Sequence, residues 1–394
     1  MCAIILNIHT ESEMHYLNRT LESTLQNYLK NFPVVGITGP RQSGKSTFIK
    51  EMLKNEYKYV SLDEQHILTL FEDDPVKFME IYNNKIIFDE AQLAPDLFKA
   101  IKIAVDNDRN NYGKFVITGS SQFNLVKQIS ESLAGRIGLL QLLPYQAQEI
   151  PESLIKQAVF RGSYPELVGR AYSGSELWYN SYVKTYLERD IRALHNIGDL
   201  RDFRRLIYIL AANISQQLNI AEISRDLGVN VSTIKRWISV LEASYIIFLL
   251  PPYYNNFGKR IVKSPKIYFY DTGLVSFLTG IVNERLYENG PLHGALFENY
   301  VISEICKKEL HLDKKSELFY FRTNHGEEID LIIDRKTSQE FFEIKASHTF
   351  SPKFTKHLEK YLVNGQSGYI LYQGPQLPFK PDLKVLNAFE YLLS

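Results

Sequence analysis

Cysteine is almost absent from this 394-residue sequence, which contains only Cys2 and Cys306. Two cysteines so far apart, without metal-ligand neighbours, argue against a disulfide framework and for a reducing compartment. Long apolar runs are also missing, because the runs at residues 3–8 and 245–250 are far shorter than the ~20 residues that span a bilayer. The first run has no basic region before it and no small-residue cleavage site, so we expect no signal peptide. The sequence therefore predicts a cytoplasmic protein with no membrane partner.

Net charge is lacking as well, because 45 Lys and Arg residues balance 45 Asp and Glu residues. The charge is unevenly distributed, however, and residues 201–266 contain ten basic and four acidic side chains, a local excess of +6. A basic segment in a neutral chain points weakly to nucleic acid, whereas the zero total argues against a large basic surface. A length of 394 residues exceeds one ordinary hydrophobic core and predicts two or three domains.

A glycine-rich segment follows a short apolar stretch in the first part of the chain. Residues 32–38 have the pattern of a buried strand and residues 47–53 have helical spacing, with GxxxxGK[ST] between them. In this context backbone N–H groups can face phosphates, Lys45 can bridge the β- and γ-phosphates, and Ser46 can ligate Mg²⁺. The pattern predicts a P-loop that binds ATP·Mg²⁺. The predicted nucleotide-binding residues are Gly39, Pro40, Arg41, Gln42, Ser43, Gly44, Lys45, Ser46 and Thr47.

A second strand pattern, at residues 85–88, ends in Asp89 and Glu90. Two acids at the carboxyl end of a parallel strand are typical of the Walker B arrangement. Asp89 would then hold Mg²⁺ through water, and Glu90 would polarise the water that attacks the phosphate. Without the glycine-rich loop this pair would be an ordinary strand-end charge. With the loop present, we interpret Glu90 as catalytic.

Two further features of the N-terminal part of the chain each have two possible interpretations. The strand pattern at residues 114–117 leads to Ser120 and Ser121, which could sense the γ-phosphate or cap the following helix. Arg136 could stabilise transition-state charge on the γ-phosphate, and a surface arginine is the alternative. Short apolar strands that alternate with amphipathic helices predict an α/β fold, in which helices wrap a parallel sheet.

A helix-turn-helix is predicted in the middle of the chain. Residues 220–227 form the first helix, which Gly228 closes, and Ser232 is placed to cap the second. Strand patterns at residues 245–250 and 266–270 predict a hairpin that would be a wing. If the second helix enters a major groove, four side chains could reach duplex DNA: Ser232, Thr233, Lys235 and Arg236. A protein contact or a lid is the alternative role for these helices.

The C-terminal part of the chain brings together three carboxylates and a lysine. Two strand patterns place Asp330 near the start of one strand and place Glu343 and Lys345 on one face of its neighbour, while Glu298 comes from the preceding helix. Carboxylates can hold Mg²⁺ beside a scissile phosphate, and a lysine can orient or deprotonate the attacking water. A Glu–Lys pair two residues apart is also a common solvent-facing pair on strands. Joined to Asp330 and Glu298, it indicates a nuclease-type site with Asp330 and Glu343 as metal ligands.

Taken together, these segments resemble a widespread bacterial and archaeal family of AAA-type ATPases fused to a C-terminal domain of unknown function. The resemblance is carried by GPRQSGKS, IIFDEAQ, ITGSS, SLAGR, SYPE, YLERD, KSPKIYFYDTGL, GALFENYV, EEIDLII and EIKAS. It implies a winged helix and a PD-(D/E)XK nuclease-like fold after the ATPase domain. It also implies ATP-site roles for Lys45, Ser46, Asp89, Glu90 and Arg136, and nuclease roles for Glu298, Asp330, Glu343 and Lys345. Isoleucine replaces the proline of the PD pair before Asp330, although only the aspartate is needed for metal.

We therefore predict an α/β protein with four regions. They are a P-loop AAA-type ATPase domain at 1–150, a helical connector at 151–200, a winged helix-turn-helix at 201–285 and a PD-(D/E)XK nuclease-like domain at 286–394. The expected cofactors are ATP and Mg²⁺, with Mn²⁺ as an alternative at the C-terminal site. Two functions stay open: an ATP-dependent enzyme that cuts DNA, and a nucleotide-switched protein whose C-terminal fold recognises a partner without cleavage. A homo-oligomer is compatible with either.

Overall fold

The computed structural model describes residues 16–119, 129, 131–190, 200–253, 264–323, 325–362 and 366–394. Helices and strands alternate in the N-terminal part, as the sequence pattern predicts. They are α1 (Leu21–Asn31), β1 (Val34–Thr38), α2 (Lys45–Leu53), β2 (Lys58–Ser61), α3 (Gln65–Asp73), α4 (Pro75–Ile81), β3 (Ile86–Asp89), α5 (Leu97–Asp106), β4 (Phe115–Thr118) and β5 (Ile137–Gln141). None of the helices in the described ranges is long and apolar enough to cross a membrane.

The five strands form one parallel sheet in the order β2-β3-β4-β1-β5. β1, β3 and β4 are buried along their whole length, because their apolar side chains enter separate core clusters on the two faces of the sheet. Phe115 of β4 pairs with both Val34 of β1 and Ile86 of β3. The carboxyl ends of β1 and β3 are therefore level with each other, at the edge where such sheets bind ligands. The predicted parallel sheet is confirmed.

The middle part is mainly helical. It contains α6 (Ile155–Arg161), α7 (Pro165–Gly169), α8 (Ser175–Tyr182), a π-helical segment (Val183–Asp190), α9 (Leu200–Ala212), α10 (Ile220–Leu227), α11 (Val231–Ala243), β6 (Ile247–Leu250), β7 (Lys266–Phe269), α12 (Thr272–Thr279) and α13 (Glu284–Asn289). Aromatic side chains along α8 form core, and Trp178 stacks on Tyr182 with 5.1 Å between the ring centroids. Tyr179 of α8 also stacks on Phe277 of α12, with 6.0 Å between the centroids, and this contact holds α8 beside the rest of the helical part.

The predicted helix-turn-helix elements correspond to α10 and α11. Gly228 ends α10 in the left-handed region, with φ 67°, as expected of glycine after a helix. The predicted cap at Ser232 is wrong, because α11 begins directly after Asn230 and Ser232 lies exposed in its first turn. The Asn230 carbonyl accepts the N–H of Thr233 at 3.0 Å, so the helical hydrogen bonds already begin there.

β6 and β7 form the predicted antiparallel hairpin, and its turn lies outside the described residues. The strands pack inside the molecule, since β7 is buried along its whole length. The backbone N–H and C=O of Phe269 both bond to the side-chain amide of Asn299, each at 2.8 Å. The base of the hairpin therefore joins the middle part to the C-terminal part.

The C-terminal part begins with a long helix and contains a second sheet. Its elements are α14 (His293–His311), β8 (Glu317–Arg322), β9 (Glu328–Asp334), β10 (Gln339–Lys345), α15 (Lys356–Tyr361), β11 (Ser367–Tyr372), β12 (Leu377–Lys380), β13 (Leu383–Asn387) and α16 (Ala388–Leu393). The strand order is β12-β13-β11-β10-β9-β8. β8, β9 and β10 pair antiparallel, whereas β11 is parallel to β10. The three strands predicted around Asp330 and Glu343 are thus neighbours in one sheet.

One continuous core joins the middle and C-terminal parts, because a single cluster of buried side chains includes members of both. The chain after β6 also runs beside β8: Tyr253 N donates to Tyr320 O at 2.6 Å, and Tyr320 N donates to Pro251 O at 3.0 Å. The hairpin and the second sheet therefore share backbone hydrogen bonds as well as core.

Candidate functional site

The glycine-rich loop joins β1 to α2 at the edge where β1 and β3 end. Its backbone has positive φ at Gly39 (148°), Gln42 (64°) and Gly44 (87°). A Cβ atom at Gly39 would lie 2.1 Å from the carbonyl oxygen of Leu142, so this position accepts only glycine. The predicted nucleotide-binding residues 39–47 thus form a tight turn that leads into the N-terminus of α2, where N–H groups can face an anion.

Lys45 is the first residue of α2, and its ammonium lies inside the loop. Nζ donates to the carbonyl oxygens of Gly39 at 3.0 Å and of Pro40 at 2.8 Å. Burial lowers the pKa of Lys45 to about 8, although the charges of Glu90 and Asp89 oppose this shift. The negative charges of the protein therefore offset the positive charge of this ammonium only in part, as expected of a group that binds an anionic ligand.

Ser46 and Asp89 are in direct contact across the sheet edge. Ser46 Oγ donates to Asp89 Oδ2 at 2.8 Å, and the Tyr59 hydroxyl donates to the same oxygen. A hydroxyl and a carboxylate in this arrangement are suitable oxygen ligands for Mg²⁺, so these residues fit the ion that accompanies ATP. Tyr59 comes from β2 and carries no motif, which is why the sequence pattern gave no signal for it.

Glu90 follows β3 in the left-handed backbone region, with φ 53°. This conformation is uncommon for a residue other than glycine, and such strain is concentrated at functional sites. The side-chain amide of Gln92 donates to the Glu90 carboxylate and orients it. The predicted base thus lies directly beyond Asp89, at the same edge as the glycine-rich loop.

The predicted sensor residues Ser120 and Ser121 lie outside the described residues. Thr118, which the sequence pattern did not single out, ends β4 between β1 and β3. It is fully buried, and its Oγ1 has no hydrogen-bond partner among the described residues. Such a hydroxyl at this edge makes Thr118 a further candidate for contact with the γ-phosphate or the attacking water.

Arg136 lies at the opposite edge of the sheet from the glycine-rich loop. It directly precedes β5, and its carbonyl oxygen accepts the N–H of Val34, the first residue of β1. Its guanidinium forms two hydrogen bonds with the Asp106 carboxylate, at 2.7 and 2.9 Å. The predicted contact with the γ-phosphate of the same chain does not fit this position, because the length of β1 separates the two.

Arg19 is a buried arginine beneath the loop that the sequence analysis missed. It donates to Ser43 O at 3.0 Å, to Leu143 O at 2.6 Å and to Glu149 Oε2 at 2.9 Å. These three contacts join the loop to the chain that leaves β5. Arg19 therefore holds the loop backbone, and only a long-range contact defines it, so no local pattern could have identified it.

In the second sheet, Asp330 and Glu343 face the same ammonium. Lys345 Nζ lies 2.7 Å from Glu343 Oε1 and 3.3 Å from Asp330 Oδ2. Asp330 Oδ2 also accepts the backbone N–H of Ile344 at 2.8 Å. The antiparallel pairing of β9 with β10 brings these side chains to one face, so the predicted proximity is observed.

Glu298 on α14 joins this group through a lysine from the middle part of the chain. Lys266 Nζ lies 3.0 Å from Glu298 Oε1 and forms a second ion pair with Glu328. The Tyr268 hydroxyl donates to the same Glu298 oxygen at 2.7 Å. Lys266 and Tyr268 both belong to β7, outside the region predicted to contain the site. We call Lys266, Glu298, Glu328, Asp330, Glu343 and Lys345 the carboxylate cluster.

Burial and mutual repulsion disfavour two of these negative charges. Burial, followed by the charge of Asp330, raises the pKa of Glu343 to about 8. Burial also raises the pKa of Glu298 to about 7, against the opposing effect of Lys266. For Asp330, burial acts in the same direction and is the largest single effect, but the charges of Lys345 and Lys266 and the hydrogen bond from the Ile344 N–H together outweigh it and lower the pKa.

The fit of the carboxylate cluster to a divalent cation is partial. Oxygen donors are the right chemistry for Mg²⁺ or Mn²⁺, and Glu343 Oε2 is buried without a hydrogen-bond partner among the described residues. In the described ranges, however, no three Asp, Glu, His or Cys side chains are grouped so as to hold a metal ion. Lys345 already contacts Glu343 Oε1 and Asp330 Oδ2, and Lys266 contacts Glu298 Oε1, so a cation would compete with both lysines.

The predicted DNA-reading side chains lie in the first half of α11. Ser232, Lys235 and Arg236 are exposed and Thr233 is half-buried. The opposite face of α11 is core, where Trp237 meets Phe203 edge to face at 5.6 Å between centroids. The four side chains are therefore accessible, which DNA contact requires.

Comparison with family models divides the chain into three matched segments. Residues 31–151 match an AAA domain (AAA_14), residues 152–285 match a domain of unknown function (DUF8612), and residues 293–391 match another (DUF4143). The first and last segments correspond to the two sheets described above.

Related proteins extend over nearly the whole chain. The uncharacterised proteins Rv2008c of Mycobacterium tuberculosis and Mb2031c of Mycobacterium bovis are each 32% identical over 380 residues, which cover 95% of this chain and 85% of theirs. The uncharacterised protein MJ1544 of Methanocaldococcus jannaschii is 24% identical over 370 residues, covering 84% of this chain and 78% of its own.

Two solved structures also match parts of the chain, with TM-scores below 0.5. The Walker-type ATPase PABY2304 of Pyrococcus abyssi is 16% identical and matches with a TM-score of 0.43 over 70% of this chain and 99% of its own. AMPPCP-bound DnaA from Aquifex aeolicus is 13% identical, with a TM-score of 0.28 over 56% of this chain and 85% of its own.

Proposed function

Because the chain belongs to the family of Rv2008c, AAA-type ATPases with a C-terminal domain of unknown function, we propose that it binds ATP·Mg²⁺ between β1 and α2 and hydrolyses it. The observation that carries the proposal is the meeting of Lys45, Ser46 and Asp89 at one edge of the parallel sheet. An ammonium, a hydroxyl and a carboxylate in this arrangement are the groups that a nucleoside triphosphate and its magnesium ion require.

Each residue at this edge has a distinct task in the proposed reaction. Water attacks the γ-phosphorus, its proton passes to a base, and ADP leaves as inorganic phosphate forms. Lys45 neutralises charge on the β- and γ-phosphate oxygens, and N–H groups at the start of α2 hold them. Glu90 orients the water and accepts its proton. Mg²⁺, held by Ser46 and Asp89, would neutralise further phosphate charge.

Glu90→Gln separates binding from hydrolysis. The amide keeps the size of the side chain and cannot accept the proton, so hydrolysis should fall by ~10²–10⁴-fold while ATP still binds. Phosphate release and equilibrium binding of a fluorescent ATP analogue measure the two properties. Glu80→Gln, at an exposed position on α4, is the matched control and should behave as wild type. Hydrolysis by Glu90→Gln at the wild-type rate would remove Glu90 from the mechanism.

We extend the proposal to DNA in the cytoplasm. The order of α9, α10, α11 and the β6–β7 hairpin supports a winged helix, in which Ser232, Thr233, Lys235 and Arg236 would contact duplex DNA. The order of helix, three antiparallel strands, helix and parallel strand from α14 to β11 supports a PD-(D/E)XK nuclease-like fold. In such a site Asp330 and Glu343 would be metal ligands, with Glu298 and Lys345 beside the scissile phosphate.

A short path of contacts supports control of the carboxylate cluster by the ATP site. Thr38, at the end of β1, is hydrogen-bonded to the Tyr245 hydroxyl, with 2.9 Å between the two oxygens. Tyr245 leads into β6, which pairs with β7, and β7 carries the two side chains that hold Glu298. A change at the glycine-rich loop could therefore move Lys266 and Tyr268 relative to Glu298.

A second candidate function is a nucleotide-switched protein that recognises a partner without cutting. The observation that favours it is the neutralisation of the cluster by Lys266 and Lys345, which leaves little need for a metal ion. In this case the path from Thr38 to Glu298 would change a binding surface instead of a nuclease site.

A cleavage assay decides between the two candidates. Single- and double-stranded DNA and RNA are incubated with Mg²⁺ or Mn²⁺, with and without ATP. If the protein is a nuclease, cleavage should depend on the metal ion and should be abolished in Asp330→Asn. The control variant Asp334→Asn, on the same strand, should still cleave. If no condition yields cleavage and DNA or protein binding still depends on ATP, the second candidate is correct. Equal cleavage with and without ATP would contradict the proposed control.

A further inference from the structure

A cleft of about 360 Å³ lies in the middle part of the chain, away from the glycine-rich loop and the carboxylate cluster. It is bordered by the end of α6, the start of α8 and one face of α12. Tyr172, Tyr179 and Phe277 form part of its wall. A cleft of this volume with aromatic walls is in the range of small-molecule sites. None of the functions proposed above uses this cleft.

Two buried polar atoms of the cleft have no hydrogen-bond partner among the described residues. Ser276 is 2% exposed, and neither its Oγ nor the Nε of Arg161 is bonded within the described part of the chain. The Arg161 guanidinium instead lies over two rings, at 5.2 Å from the Phe160 centroid and 5.9 Å from the Tyr172 centroid. A buried N–H and a buried hydroxyl left in this way are costly unless a ligand supplies the missing partner.

The start of α8 adds positive potential to the same cleft. Gly174, Ser175 and Glu176 line it, and Gly174 is the N-cap of α8 without a side-chain cap. The first N–H groups of a helix favour negative charge in front of them. Glu176, the acidic member among the described lining residues, is exposed and forms no ion pair with Arg161. Three donors of different origin therefore border the same cleft.

The remaining wall is apolar and partly open to solvent. Leu177 is 76% exposed and Val282 is 55% exposed, so they lie at the mouth, and Phe277 and Ile281 also line the cleft. We propose that this cleft binds a small organic carboxylate with an apolar body, whose charged end meets Arg161, Ser276 and the start of α8. The apolar body would cover the exposed side chains at the mouth, and an arginine and a hydroxyl are suitable partners for a carboxylate.

Two probes of the same shape test the charge requirement on the unaltered protein. Calorimetric titration compares 4-phenylbutyrate with its neutral analogue 4-phenylbutanamide. The carboxylate should bind ~10-fold or more tightly than the amide, because hydrogen bonds to charged groups are the stronger ones. Equal affinities, or no binding of the carboxylate at millimolar concentration, would overturn the proposal.

Variants of the chain then identify the residues. Arg161→Met keeps the apolar stem and removes the charge, so it should weaken 4-phenylbutyrate binding ~10-fold and leave the amide unaffected. Ser276→Ala should have a smaller effect of the same kind. Arg170→Met, at a nearby exposed arginine paired with Glu166, is the control and should bind as wild type. Wild-type selectivity for the carboxylate in Arg161→Met would refute the site, and thermal unfolding confirms that each variant folds.

Discussion

The ATP-site edge and the carboxylate cluster use the same residue types with opposite electrostatic results. At the first, burial lowers the pKa of Lys45 to about 8, and two nearby acids compensate it only in part. At the second, burial acts in the same direction on Lys266 and Lys345, but several carboxylates outweigh it and raise both pKa values. The difference lies in the number of acids that each buried ammonium contacts.

This contrast indicates what each site lacks. Lys45 is bonded to carbonyl oxygens and its charge is left for an anion, as a phosphate-binding lysine requires. Lys266 and Lys345 are bonded to carboxylates, so the protein itself supplies the cations of the cluster. The first site is therefore prepared for a ligand, whereas the second would have to rearrange its own ion pairs before it could hold a metal.

The same substitution, lysine to methionine, should affect stability very differently at the two sites, and the larger loss of unfolding free energy is expected at the carboxylate cluster. Lys266→Met leaves Glu298 and Glu328 without their buried cation, and breaking such a pair costs about 3–5 kcal/mol of unfolding free energy. Lys45→Met removes a charge that burial disfavours, so its stability should stay within about 1 kcal/mol of wild type. Urea unfolding of both variants measures the difference.

A compensating variant serves as the control for that comparison. Adding Glu298→Gln to Lys266→Met removes one uncompensated charge and should restore part of the lost stability. If Lys266→Met is as stable as Lys45→Met, the cluster does not depend on its internal cations and the contrast between the sites is wrong.

A smaller effect concerns pH. Glu343 keeps its proton in the folded state up to about pH 8 but loses it near 4.5 when unfolded. At this carboxyl the unfolded state therefore binds fewer protons in this window, so the contribution of Glu343 makes stability fall as the pH rises from 4.5 to 8. The raised pKa of Lys345 adds stability that is fully present below its unfolded value of 10.5, so it contributes no slope here.

Glu343→Gln removes this titration and should make stability fall less steeply as the pH rises. Buried carboxyls with raised pKa values, such as Glu298, still contribute a fall, whereas burial lowers the pKa of His311, which makes stability rise with pH in the acid part of the range. Chemical unfolding at several pH values between 5 and 8 measures it. Glu390→Gln, at an exposed position on α16, should keep the wild-type slope. An unchanged slope in Glu343→Gln would show that its carboxyl is not held protonated.

The smallest effect is expected at α11. If duplex DNA binds there, Lys235→Ala with Arg236→Ala should weaken binding and make its salt dependence shallower by ~0.9 for each phosphate that the variant no longer neutralises. Lys99→Ala with Lys102→Ala on α5 removes the same charge elsewhere and should leave both unchanged. Fluorescence anisotropy at several salt concentrations measures both quantities. Wild-type affinity and slope in the α11 variant would favour a protein contact or a lid.

The sequence predicted the elements that local pattern determines. Apolar strands followed by the glycine-rich loop and by Asp89 define the parallel sheet and its ligand edge, because strand ends and turns depend on neighbours in the chain. Arg136 shows that a sequence motif alone does not give the position of a residue in the fold. It precedes a parallel strand, and the residue before such a strand lies at the amino edge, opposite the loop.

The residues that the sequence did not reveal act through distant contacts. Arg19 reaches the loop from before α1, Tyr59 reaches Asp89 from the neighbouring strand, and Lys266 reaches Glu298 from the hairpin. None of these pairings has a characteristic spacing, so only the packing of the elements defines them. The second lysine of the cluster was therefore missed, and with it the neutralisation of the acids.

ATP hydrolysis by Lys45→Ala tests the central claim most directly. Lys54→Ala, at a solvent-exposed position directly after α2, is the matched control. Phosphate release with ATP and Mg²⁺ should fall to near background in Lys45→Ala, through weaker binding, slower chemistry or both, and should stay at the wild-type rate in Lys54→Ala. Hydrolysis by Lys45→Ala at the wild-type rate would mean that ATP is cleaved elsewhere than at the edge formed by β1 and β3.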